Sequence, residues 1–176
     1  MKEKLNVGCG ERILNGFVNL DKFKLEGVDV VHDIEKFPWP FQDNSFVEID
    51  CNMILEHISD LVKTMKEIYR ISKDNVIVRI KVPYFSCPSN FIDPTHKKLF
   101  TYYSFDFLDN KSEYFMFMFD ESLPKFKIVK RRIIFYSFMK IFEPIFNLKS
   151  LVKFYTGVLS YILPAGELYF ELRAIK

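Results

Sequence analysis

The sequence predicts an α/β fold built on a doubly wound, mostly parallel sheet, and three observations lead there. Short apolar runs bounded by turn residues recur along the first 83 residues, as strands do. Between two of them, Ser59 to Ile71 carries Leu61, Met65, Ile68 and Tyr69 at helical spacing, with Lys63, Lys66 and Glu67 on the other side. The third is a glycine turn, Gly8-Cys9-Gly10, directly after the first apolar run. Strand, helix and strand in alternation are the signature of parallel sheets whose crossovers are helical.

Taken in order, strands are predicted near residues 4–7, 17–20, 28–32, 46–51 and 76–82, the amphipathic crossover helix begins at a Ser59 cap, and Pro83 ends the fifth strand. Thr101 to Leu108 reads as another short helix, and Lys125 to Tyr136 and Glu167 to Ile175 as the last two strands. Residues 138–163 lie between these as a helical insertion broken by Pro144 and Pro164. The first crossover is unusual. Only Glu11 to Phe17 separate the glycine loop from the second strand, with an Asn15-Gly16 turn inside, which is too short for the helix of about ten residues that normally fills such a connection.

The glycine turn has a chemical reading as well. Glycine lets a ligand approach the backbone where a Cβ would collide, and Asp21, at the tip of the following strand, offers a carboxylate to two ribose hydroxyls. Dinucleotides and S-adenosylmethionine both suit such a site. A pyrophosphate needs a small residue three positions beyond the second glycine, and Ile13 stands there.

Further along come Asp33-Ile34, Asp43-Asn44-Ser45-Phe46 and Asn52-Met53-Ile54-Leu55-Glu56-His57-Ile58. In this order and spacing, residues 5–83 resemble the class I S-adenosylmethionine-dependent methyltransferases, in particular the type 11 group. The resemblance implies a seven-stranded sheet of Rossmann-like class I methyltransferase architecture ending in an antiparallel hairpin, and S-adenosyl-L-methionine as cofactor with S-adenosyl-L-homocysteine as product. It implies that Asn6, Val7, Gly8, Cys9 and Gly10 wrap the methionine part, Asp21 takes the ribose, Asp33 and the Ile34 backbone read the adenine edge, and Asn52 and Met53 lie beneath the sulfonium.

Methyl transfer asks little of side chains beyond alignment and removal of a proton. His57, expected at a helix N-terminus that keeps it neutral, and His96, after the fifth strand, are the candidate catalytic bases, while His32 reads as structural and Tyr84 as a further wall residue. Cys9, Cys51 and Cys87 lack zinc spacing and read as small buried thiols, so no metal site is expected.

At 176 residues the chain fits one domain, with no apolar run approaching the ~18 residues of a spanning helix and no leader-like start, so a cytoplasmic protein is expected. Residues 121–176 carry a net charge of +6 and the first 120 a net −4, and 20 of the 29 Phe and Tyr lie at or beyond Phe100. The lysines are too scattered for a nucleic-acid platform. Phe135, Phe138, Phe142 and Phe146 instead describe an apolar stripe with three readings beside plain core: a lid over a small-molecule substrate, a homodimer face, or peripheral contact with a membrane. Two functions follow: methyl transfer to a small molecule, such as a glycan or lipid intermediate, or a non-catalytic cofactor-binding module that engages a partner through its aromatic, basic second half.

Overall fold

The computed structural model describes residues 2–112 and 122–176. Seven strands form one sheet: β1 (Lys4–Val7), β2 (Val18–Asp21), β3 (Val30–Val31), β4 (Phe46–Asn52), β5 (Ser72–Pro83), β6 (Phe126–Ile134) and β7 (Glu167–Ala174). Their spatial order is β3-β2-β1-β4-β5-β7-β6. β1 to β5 run parallel, and β7 is antiparallel to both β5 and β6. The chain leaves β1 towards one edge and returns at β4 towards the other, so a topological switch point lies between β1 and β4, where open α/β sheets bind ligands.

Alternation along the strands, broken by register shifts at Phe46/Glu48 and Ile128/Lys130, sorts the sheet into two unlike faces. Leu5 and Val7, Ile49 and Cys51, Val78, Ile80 and Val82, and Leu168, Phe170 and Leu172 are neighbours in register and all buried. Each such side chain contributes on the order of 1.5–3 kcal/mol by leaving water. Against this face pack Met65, Ile68 and Ile71 of α1 (Leu61–Ile71), together with Phe100, Phe105 and Leu108. The opposite face is polar. It holds Asn19, Asn6, Asp50, Arg79, Glu171 and Lys130, laced by Lys4–Glu48 at 2.9 Å, Arg12–Asp50 at 2.5 Å and Lys81–Glu167 at 2.5 Å, and by a contact of Arg79 with Glu48. Parallel sheets are commonly covered on both sides. Here the polar face is dressed by ion pairs and by the short first crossover.

That crossover holds no helix. Asn6, buried in β1, donates to Arg12 O at 2.7 Å and to Asn19 Oδ1 at 2.9 Å, and Asn19 Oδ1 also accepts from Leu14 N at 2.9 Å. Two asparagines side by side in register therefore tie residues 12–14 to the sheet through fully engaged amides.

Local chemistry shifts two expected helices. α1 starts at Leu61 because Asp60, not Ser59, caps it by accepting from Lys63 N at 2.9 Å, while Ser59 N donates to Glu35 Oε1 at 2.6 Å. Over residues 101–108 only a 3-10 turn, Asp106–Leu108, forms. Thr101 N donates to Ser104 Oγ at 2.8 Å and Tyr103 N to Thr101 Oγ1 at 3.3 Å, giving the backbone an alternative to helix.

After α2 (Ser89–Ile92) and the turn at Asp106–Leu108, the remaining helices among the described residues lie between β6 and β7: a 3-10 stretch at Ser137–Phe142, then α3 (Glu143–Phe146), α4 (Lys149–Gly157) and a 3-10 turn at Leu159–Tyr161. The four phenylalanines of the proposed stripe do not share a face. Phe135 and Phe146 pack with Tyr155 of α4, whereas Phe138 is 77 % exposed. Only Phe138 and Phe142 lie in the 3-10 stretch, where three residues per turn carry a four-residue spacing around the axis, while Phe135 precedes it and Phe146 belongs to α3.

Candidate cofactor and transfer site

Beyond the carboxyl ends of β1, β2, β3 and β4 lies a cavity of about 650 Å³, within the roughly 300–1,000 Å³ range of small-ligand sites. The glycine loop forms its floor. Gly8 has φ +61°, and a Cβ there would lie 2.2 Å from Ile54 Cγ1, so this glycine is required by the loop's own packing rather than by a ligand alone. Gly10 has φ +49°, and its absent Cβ would meet nothing within 4 Å. Its N–H donates to Asp21 Oδ2 at 2.8 Å, while Asp21 Oδ1 accepts from Phe23 N at 2.9 Å. The acid at the tip of β2 therefore holds the glycine loop in place, and each oxygen keeps a lone pair for a ligand hydroxyl.

Of the residues that the sequence assigns to the cofactor, Gly8, Gly10, Asp21, Asp33, Ile34 and Met53 line this cavity. Asn6, Val7, Cys9 and Asn52 do not. Asn6 and Val7 are buried strand residues that hold the loop from within. Burial, then the neighbouring Asp21, push the Cys9 thiol up, so it is an uncharged packing group; Cys51 and Cys87 are likewise free and buried. Asp33 Oδ1 accepts from Glu35 N at 3.1 Å, and Ile34 O accepts from Trp39 Nε1 at 3.0 Å, which shapes the turn after β3. Met53, just past β4, has φ +52°, a strained backbone position for a side-chain-bearing residue.

His57 also lines the cavity, together with Thr95 and Lys97. It does not stand at a helix N-terminus: it closes the three-residue 3-10 turn Leu55–His57. Its pKa is nevertheless lowered, by burial first and then by His96, whose ring lies 4.7 Å away edge-on. His96 stands behind His57, outside the cavity lining. His32 lines the opposite wall and its Nε2 lies 2.9 Å from Lys36 O. Tyr84 walls a different cleft of about 330 Å³ with Phe85, Tyr103 and Tyr161.

Sequence reasoning missed several groups. Lys97 reaches Glu35 Oε2 at 2.7 Å and Ser59 Oγ at 3.0 Å, and its bond to Glu35, with those that Ser59 makes to the same carboxylate, holds the Glu35 carboxyl down at about 2. Lys97 N and Lys98 N donate to Glu56 O at 2.7 and 3.1 Å, so segment 93–98 is strapped across the turn after β4. No local signal announces partners 62 residues apart. Glu56 is the other omission: it is 1 % exposed, burial pushes it up to about 7, and its Oε2 has no hydrogen-bond partner among the described residues.

Residues 13–80 match the methyltransferase domain family. No curated protein sequence matches the chain. Among solved structures, a putative methyltransferase from Bacillus halodurans shares 15 % identity at a TM-score of 0.61, covering 98 % of this chain and 92 % of that one. A SAM-dependent methyltransferase from Archaeoglobus fulgidus shares 17 % identity at 0.56, covering 97 % and 85 %. A phosphoethanolamine N-methyltransferase from Haemonchus contortus, in complex with S-adenosylhomocysteine, shares 14 % identity at 0.56, covering 98 % of this chain and 48 % of that one. The chain thus carries the class I methyltransferase fold along nearly its whole length, and the methyltransferase domain family is matched where the glycine loop's crossover, the acid of β2 and the turn after β4 build the cavity.

Proposed function

We propose that the cavity binds S-adenosylmethionine and that the protein transfers its methyl group to a small-molecule acceptor. The observation that carries this reading is Asp21, a buried carboxylate at the tip of β2 that is locked to the glycine loop and lines a ligand-sized cavity at the switch point of the sheet. In this reading Asp21 accepts from the ribose hydroxyls, Asp33 and Ile34 border the adenine, Gly8 and Gly10 admit the methionine part, and Met53 lies towards the sulfonium. Asn6, Val7, Cys9 and Asn52 support the loop and strand ends without touching the ligand.

The sulfonium supplies the electrophile, so the protein's task is to align an acceptor and to take its proton. His57 and His96 serve that end of the cavity, His57 at its wall and His96 behind it. The acceptor enters from the side of the aromatic cleft around Tyr84, because Thr95 and Lys97 wall the first cavity while Leu99 and Thr101, on the same segment, wall the second. Such a wall, in a basic and aromatic half of the chain, suits a glycan or lipid intermediate. Three free, buried cysteines fit a reducing compartment and hence a cytoplasmic location.

The test is transfer of a radiolabelled methyl group from S-adenosylmethionine to a metabolite extract, compared with the Asp21→Ala variant. Label in a small-molecule fraction that disappears with the variant supports the reading. Retained cofactor binding with no transfer to any fraction would leave only the binding-module alternative.

A further inference from the structure

We infer that Glu56, His57 and His96 form a site for one transition-metal dication at the edge of the cavity. The use of such an ion in catalysis rests on the methyl-transfer reading, whereas its binding does not. Each of the three residues offers one ligand atom, and these atoms lie within 4.8 Å of one another. Around a tetrahedral ion with ligand bonds of ~2.1 Å, ligand atoms stand roughly 3.4 Å apart, so small side-chain rotations complete the set.

Two of the three ligands each carry a buried polar atom without a partner among the described residues. Glu56 is 1 % exposed and its Oε2 has no partner; the His96 side chain is 8 % exposed and its Nδ1 has none. Buried polar atoms in folded proteins are almost always satisfied, and two orphans facing one small space call for one shared ligand. Asp93 Oδ2 stands 3.7 Å from His96 Nε2, on the far side of the ring from the unbonded Nδ1.

The third ligand is held ready. Thr95 Oγ1 donates to Asp93 Oδ1 at 2.7 Å and therefore accepts from His57 Nδ1 at 2.9 Å. This fixes the proton on Nδ1 and leaves the Nε2 lone pair free, in the arrangement by which a carboxylate and a hydroxyl orient a metal-binding imidazole. The strap bonds from Lys97 N and Lys98 N to Glu56 O fix the segment bearing His96 against the turn bearing Glu56 and His57. Two imidazoles and one carboxylate favour zinc, manganese or iron over magnesium and calcium, which prefer oxygen ligands throughout. Three protein ligands also leave a coordination position open, and since His57 belongs to the cavity wall, an oxygen of the acceptor or a water can reach it. With the ion bound, the lone pairs of both histidines are committed, so either imidazole takes a proton only in the metal-free protein.

The experiment is calorimetric titration of EDTA-treated protein with zinc, manganese and magnesium chloride. One equivalent of zinc or manganese should bind, with magnesium at least about tenfold weaker. His96→Ala and Glu56→Gln should each weaken binding by more than about tenfold, and Thr95→Val by about tenfold through loss of the orienting bond. S-adenosylhomocysteine affinity, measured separately on the same variants, reports whether the fold and the cofactor end survive. Should a variant fail to fold, histidine nuclear magnetic resonance of the wild type decides instead: zinc should shift the ring signals of His57 and His96 and leave those of His32 in place. Absence of zinc and manganese binding in the wild type, or variants that bind as the wild type does, would overturn the site, whatever the result with the nucleoside.

Discussion

The loop after β2 and the turn after β4 border one cavity but treat a buried carboxylate in opposite ways. Each oxygen of Asp21 takes a backbone N–H, from Gly10 and from Phe23. Glu56 has an oxygen with no partner among the described residues and a pKa pushed up to about 7 by burial. A satisfied carboxylate pre-forms a site whose shape exists before the ligand arrives; an unsatisfied one stores an unmet demand that a ligand fulfils. The β2 end of the cavity is thus rigid by construction, and the β4 end is completed by what binds there.

The largest effect should come from the rigid end. Gly8→Val places a branched side chain at φ +61° against Ile54, so overpacking and left-handed strain together should cost on the order of 2–5 kcal/mol, read by chemical denaturation, with S-adenosylhomocysteine binding lost. Asp21→Ala should weaken that binding by about 1.5–3 kcal/mol in calorimetry, the worth of charge-assisted hydrogen bonds to a ribose. Asn6→Ala sharpens the contrast. It leaves Arg12 O without its donor and takes one of two donors from Asn19 Oδ1 behind the cavity, so it should cost about 1–3 kcal/mol of stability while changing cofactor affinity less than Asp21→Ala does.

A smaller effect concerns the strap. Glu35 is held at about 2 against an ordinary 4.5, by the Lys97 and Ser59 bonds. Its folded pKa lies below its unfolded one, so its contribution is present in full above about pH 4.5 and is lost as pH falls towards 2. Thermal melts over that window should show wild type losing its advantage over Glu35→Gln, and the loss should be modest because the pair is more than a third exposed. Equal melting differences at pH 6 and pH 2.5 would remove Glu35 as an anchor of the strap.

The smallest effect on stability should come from Phe138→Ser combined with Ile141→Ser, since the two side chains are 77 % and 76 % exposed. Denaturation should shift by no more than about 0.5 kcal/mol. Light scattering then reads the surface role: a fall in mass marks a contact between copies of the chain. Phe146→Ser should behave differently, losing its packing on Phe135 and Tyr155 and with it stability.

What the sequence made legible was local or periodic. Apolar runs bounded by turn residues located the first five strands and the family resemblance the last two, glycine and aspartate punctuation located the loop and the acid of β2, and the absence of a first crossover helix followed from counting seven residues. What it hid depended on distant partners or on helix type. The cap of α1 fell one residue later because Ser59 was engaged by Glu35, 24 residues away. Residues 101–108 looked helical by composition, but Thr101 and Ser104 turned their hydroxyls on the backbone. The phenylalanine stripe assumed 3.6 residues per turn where Ser137, at φ +56°, opens a 3-10 stretch. Glu56 was visible in the motif with His57 but not as half of an unpaired set, because His96 joins it from 40 positions on, through strap bonds that no spacing rule encodes.

The central claim, that the cavity is a nucleoside site for a sulfonium cofactor, is tested most directly by calorimetry of the wild-type chain with S-adenosylhomocysteine and with NAD. A single site for S-adenosylhomocysteine, weakened by Asp21→Ala and with no measurable heat from NAD, is the predicted result. Tighter binding of NAD, or no binding of S-adenosylhomocysteine by folded protein, would contradict it.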